Sequence, residues 1–124
     1  MLLDINKSYL ELVRGDTFNM PLPLNCGSRE YFQPYALGTS DYLFIGIMRP
    51  GQPFEEAVVR CKLDCHSPRD AFGNSIFRLT HEDTKNLEPG KYYITIKFVN
   101  NDDVITLVDQ KLFFITGSNV CCGR

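Results

Sequence analysis

The sequence predicts an all-β chain, an antiparallel β-sandwich of about seven or eight strands with one short helical crossover. Apolar residues alternate with polar ones along most of its length, which is the period of a strand with one buried face. Turn-forming clusters of Gly, Pro, Asn and Asp separate these segments at short intervals. No segment sustains a 3.6-residue apolar period long enough for a packed helix.

Leu10 and Leu12 flank Glu11 in a first short strand, and Arg14-Gly15-Asp16 is the turn after it. Phe18, Met20, Leu22 and Leu24 then share one face of a second strand. Pro21 and Pro23 lie on the other face and donate no ladder hydrogen bond, so this strand belongs at a sheet edge or is bulged. Tyr42 to Met48 is nearly continuous apolar sequence, as expected of a central strand or one whose outer face is covered. Arg49-Pro50-Gly51-Gln52-Pro53 closes it. Ala57, Val59, Cys61 and Leu63 alternate with Val58, Arg60, Lys62 and Asp64 in a fourth strand, and Phe77 and Leu79 mark a fifth over Ser75 to Thr80.

His81 to Leu87 breaks the alternation. Thr80 can cap a helical turn there, and Glu82 and Asp83 suit its N-terminus. Tyr92, Ile94, Ile96 and Phe98 form the inward face of the next strand. Asn100-Asn101-Asp102-Asp103 reads as a four-residue hairpin loop. The return strand, Val104 to Ile115, is interrupted by a bulge at Asp109-Gln110. The connection from Asn25 to Ser40 is too long for a turn and carries Tyr31, Phe32, Tyr35 and Leu37. Long loops in compact domains tend to be functional or disordered, and aromatic content favours the first.

The chain has 124 residues, with 13 Lys and Arg against 15 Asp and Glu for a formal net charge of −2. That balance disfavours a dedicated nucleic-acid binder or a polybasic membrane patch. At 44% hydrophobic and 23% charged, the chain has a globular composition. One sandwich domain is expected over 1–124, with its core at about 7–116 and a tail at 117–124. The apolar run at Tyr42 to Met48 falls far short of the ~20 residues of a membrane helix. The first residues lack the pattern of a secretory leader.

Five cysteines, at 26, 61, 65, 121 and 122, are an odd number and suggest reduced thiols from a cytoplasm. Cys61, Cys65 and His66 are weak metal candidates. Zinc needs four ligands, and adjacent Cys121 and Cys122 make a poor second pair. Asp64, His66 and Ser67 are too close together for a catalytic triad without a special scaffold. Asp102 and Asp103 supply too few oxygens for calcium. Arg14-Gly15-Asp16 matches an integrin-binding tripeptide, but turn chemistry explains it. No phosphate-binding glycine loop, nucleophile elbow or His-Glu-x-x-His motif occurs. Catalytic residues, a metal and a cofactor are therefore not expected.

Two stretches carry a resemblance. Val13-Arg14-Gly15-Asp16-Thr17-Phe18 opens an alternating strand, and Leu79-Thr80-His81-Glu82-Asp83-Thr84-Lys85-Asn86-Leu87-Glu88-Pro89-Gly90-Lys91-Tyr92 links two others. In this order, and followed by an Asn- and Asp-rich hairpin, they resemble the small immunoglobulin-like modules of tailed-bacteriophage virion proteins. The N-terminal domain of phage baseplate upper proteins is a near comparison, over about residues 10 to 115. Leu87-x-Pro89-Gly90 before a tyrosine-bearing strand also resembles fibronectin type III domains, where a tyrosine locks the crossover. Tyr92 and Tyr93 are both candidates for that role.

The resemblance implies an immunoglobulin-like sandwich and a structural, non-catalytic part of a virion made in the bacterial host cytoplasm. Baseplate upper proteins are much longer, so a stand-alone adaptor or decoration is expected. It would dock onto capsid, neck, tail or fibre subunits, as a homo-oligomer in the assembly, without nucleic acid or membrane. Candidate partner-binding residues are Tyr31, Phe32 and Tyr35 in the long loop and Val120 to Arg124 in the tail. The alternative is a free-standing carbohydrate or host-surface binding module. The absence of Trp weighs against it.

Overall fold

A computed structural model describes residues 1–3, 5, 7–26 and 33–117. These residues form ten strands and two short helical turns: β1 (Leu2–Leu3), β2 (Tyr9–Val13), β3 (Phe18–Leu22), β4 (Leu24–Cys26), β5 (Gln33–Pro34), β6 (Asp41–Met48), a 3₁₀ turn (Phe54–Glu56), β7 (Val59–Leu63), β8 (Ser75–Leu79), α1 (His81–Thr84), β9 (Gly90–Asn100) and β10 (Asp103–Thr116). The chain is all-β, as its alternation predicts, and its sheets curl into a sandwich-like arrangement.

One layer is a five-stranded sheet in the order β2-β10-β9-β6-β7. The antiparallel pair of β3 and β8 supplies a second sheet, and β1-β4-β5 a small third. Inward positions meet in one core that includes Leu10, Leu22, Leu43, Ile45, Ile47, Phe77, Ile94, Ile96 and Phe113. Burying each such side chain contributes roughly 1.5–3 kcal/mol. Phe18 fastens β3 into this core through edge-to-face contacts with Phe77 of β8, 5.8 Å between centroids, and Phe113 of β10, 5.6 Å.

Most neighbouring strands are antiparallel. The exception is β2, which runs parallel to the end of β10, with Tyr9 opposite Leu112 and Val13 opposite Thr116. The prolines act as the sequence predicts. Pro23 lies where β3 ends and β4 begins, and among the described residues β3 pairs only with β8.

The apolar run of β6 has neighbours on both sides and a covered outer face. Phe54, from the 3₁₀ turn, lies over Gly46, where an added Cβ would stand 2.7 Å from its ring and 3.2 Å from Ala57. Ala57 belongs to the end of that turn rather than to β7.

Two further expectations are corrected, and one open choice is resolved. The β9–β10 loop has two residues, not four, because Asn100 and Asp103 face each other as the last strand pair; Asn101 takes the left-handed backbone at φ 51°. The Asn25 to Ser40 connection is not all loop, as Asn25 pairs with Pro34 and Cys26 with Gln33 in short strands. The crossover tyrosine is Tyr92, whose hydroxyl donates to the Glu88 carbonyl oxygen at 2.6 Å; Tyr93 lies on the opposite face of β9. The bulge falls as expected, with Gln110 at φ 52° and its N–H donating to the Thr95 hydroxyl oxygen at 3.1 Å.

Candidate functional site

The two sequence stretches that carry the resemblance meet in space. Thr80 caps α1 reciprocally with Asp83: the Thr80 N–H and hydroxyl both donate to the carboxylate, and the Asp83 N–H donates to the hydroxyl oxygen. The hydrogen bonds from Thr80 hold the Asp83 carboxyl below the usual range. The capped turn then grips Arg14-Gly15-Asp16. The Thr84 hydroxyl donates to the Asp16 carbonyl oxygen at 2.8 Å, and His81 Nδ1 lies 2.6 Å from the Gly15 carbonyl oxygen. A carbonyl only accepts, so this contact requires a proton on Nδ1. Gly15 has φ +90°, a conformation that favours glycine. The tripeptide is thus a clamped turn rather than a mobile display loop.

The candidate chemical residues are occupied with backbone structure. The Asp64 carboxylate accepts from the His66 backbone N–H at 2.9 Å and from the Ser67 hydroxyl at 3.3 Å. Ser67 therefore hydrogen-bonds a carboxylate rather than an imidazole, and this arrangement does not activate a nucleophile. Those bonds, led by that from His66, hold the Asp64 carboxyl low. Cys26, Cys61 and Cys65 are free thiols, all half-buried. Burial, followed by the nearby Asp83 charge, pushes the Cys61 thiol up. Among the described residues no group of three or more His, Cys, Asp or Glu side chains is placed to hold a metal ion. Cys61, Cys65 and His66 thus form no such set, and neither do Asp102 and Asp103. Also among the described residues, no helix is long and apolar enough to cross a membrane.

Of the proposed partner-binding residues, Tyr31, Phe32, Val120 and Arg124 lie outside the described residues, as do Cys121 and Cys122. Tyr35 serves the fold. Its ring packs edge-on against Phe98, and its hydroxyl donates to the Asp41 carboxylate. Asp41 is 2% exposed and also accepts from the Gly38 N–H, at 2.7 Å, and from the Asn100 amide. Burial alone would raise the Asp41 pKa, but the hydrogen bonds from Tyr35, Asn100 and Gly38 outweigh it and hold the carboxyl low. The same bond, with burial and the Asp41 charge, pushes the Tyr35 phenol up to about 12. Leu37 is buried in the core.

Large exposed side chains lie elsewhere on the surface. Phe72 is 88% exposed. It stands on a tight loop built by Asp70, whose carboxylate accepts from the N–H groups of Phe72 and Asn74, each at 2.9 Å. The Asp70 N–H donates back to the Asn74 carbonyl oxygen, and Arg69 anchors the loop to the carbonyl oxygens of Leu37 and Cys65. A large aromatic group is thereby held in water on a braced backbone. At the β9–β10 tip, Val104 and Ile105 are 59% and 43% exposed. On the outer face of the five-stranded sheet, Phe44, Phe54, Glu55, Arg60 and Lys62 line a cleft of about 370 Å³. The sequence reading missed Phe72; its one signal is an aromatic residue set among turn formers, in Asp70-Ala71-Phe72-Gly73-Asn74.

These features define an all-β, sandwich-like protein with exposed aromatic and charged surfaces. No protein-family model matches the chain, and no curated protein is significantly similar to it.

Proposed function

We propose that the chain is a non-catalytic docking module, a structural component of a tailed-phage virion that binds capsid, neck, tail or fibre subunits. The observation that carries the docking reading is Phe72, exposed on a loop braced by Asp70 and Arg69. Aromatic anchors of this kind dominate binding energy at protein interfaces, and a braced loop loses little freedom on docking. The virion setting rests on the resemblance. It gains support from the contact between the two stretches that carry it, since residues 14–16 and 80–84 form one interlocked unit.

The test is sedimentation of the native protein from a lysate of its source. Migration with megadalton particles, reduced by Phe72→Ala, is the expected result. Migration at the size of the free chain would overturn the virion reading and bring a free-standing carbohydrate or host-surface binder forward.

A further inference from the structure

The outer face of the five-stranded sheet is charged unlike the chain as a whole. Phe44 pairs across the sheet with Lys62 on one side and Lys97 on the other, and Gly46 pairs with Arg60. Directly opposed residues project from the same face, so three cations surround one aromatic strip. Lys62 Nζ lies 4.2 Å from the centre of the Tyr42 ring, and Lys97 Nζ lies 4.8 Å from that of Phe54. Among the described residues none of the three cations has an ion-pair partner, since the two pairs present are Arg49–Glu88 and Lys85–Glu82. Glu55 is the one carboxylate lining the cleft.

The β9–β10 tip has the opposite character. Asp102 and Asp103 are exposed and form no ion pair among the described residues, and the exposed Val104 and Ile105 follow directly. One surface combines cations with aromatic rings, and the other combines carboxylates with aliphatic side chains. Each supplies what the other lacks.

We infer that the cleft around Phe44, Phe54, Arg60, Lys62 and Lys97 binds the Asp102-to-Ile105 hairpin tip of a second copy of this chain. The contact is heterologous: each copy offers one tip and one cleft, so association continues head to tail until it closes into a ring or extends as a filament. The contact is small and has exposed charges, so it depends on concentration and weakens as salt screens it. It specifies the self-association surface within the proposed assembly role, but it is measured on the isolated chain and can fail independently of that role.

The experiment is sedimentation velocity of the purified full chain over a concentration series at low and high salt. The wild type is expected to form species beyond the dimer that recede in high salt. Reversing the tip (Asp102→Lys with Asp103→Lys), or the cleft (Lys62→Glu with Lys97→Glu), is expected to weaken association by about tenfold or more. Combining all four substitutions in one chain should restore it, because the reversed surfaces again attract. Circular dichroism checks that each variant keeps its β fold. A wild type that stays monomeric, association unchanged by either reversal, or a folded four-substitution chain that stays apart would each overturn the proposal.

Discussion

The Thr84 hydroxyl hydrogen-bonds the Asp16 carbonyl oxygen at 2.8 Å across 68 positions of sequence, with Thr84 fully buried. This contact ties the crossover between the sheets to the turn that leads from β2 to β3. Thr84→Val keeps the shape but removes the donor. It should cost about 1–3 kcal/mol, because the carbonyl loses a partner in a place that water reaches poorly. Denaturant unfolding should show a lower midpoint at an unchanged slope.

Gly46→Ala should also destabilise the fold, by about 1–3 kcal/mol through overpacking. The new methyl would meet the Phe54 ring at 2.7 Å and displace it. Phe54→Ala in the same chain should recover part of that loss, so the double variant should be more stable than the two separate effects predict. Thermal melts of the three variants measure this coupling.

The Tyr35–Asp41 bond makes stability depend on pH at both extremes. The Asp41 pKa is lower folded than unfolded, so its contribution is present above the unfolded value near 4 and is lost as pH falls through the folded one. The Tyr35 pKa is raised to about 12. Its contribution is complete below the unfolded value near 10 and is lost as pH rises toward 12. Tyr35→Phe should therefore move acid unfolding to higher pH and remove from an ultraviolet alkaline titration the component near pH 12. A lost hydrogen bond to a charged group should cost about 1.5–3 kcal/mol near neutrality.

Phe72→Ala should leave stability within about 0.5 kcal/mol of wild type, since the ring is exposed and the turn is held by Asp70. Asp70→Ala should instead loosen the loop and make it more sensitive to proteolysis, while the Phe72 side chain remains present. Comparing the two in a binding assay separates the anchor from its support.

Local periodicity made much of this fold legible in the sequence. The alternation of Tyr92, Ile94, Ile96 and Phe98 marks the inward face of β9, but the sequence left Tyr92 and Tyr93 both open for the crossover bond, which Tyr92 makes to Glu88. Thr80 and Asp83 signal the helical turn because capping acts within three residues. The parallel pairing of β2 with β10 left no local trace, since it joins segments about a hundred residues apart. The short β4–β5 pairing involves too few residues to show a period. Tyr35 reads as a displayed aromatic because no local pattern reveals that Asp41, held by the distant Asn100 amide, is its acceptor. Phe72 was hidden by the opposite problem: a lone aromatic among turn formers does not say whether it faces inward or outward.

The parallel pair of β2 and β10 also sets how the domain bears load. The chain enters this pair at Tyr9, beside Leu112, and leaves it at Thr116, beside Val13. Tension drawn through the domain between those two points pulls the strands lengthwise in opposite directions. The ladder bonds between them are then strained together in shear rather than opened one after another from an end. Such a patch yields at a higher force than a hairpin peeled from its tip, and the relevant resistance is the rate of forced unfolding rather than equilibrium stability.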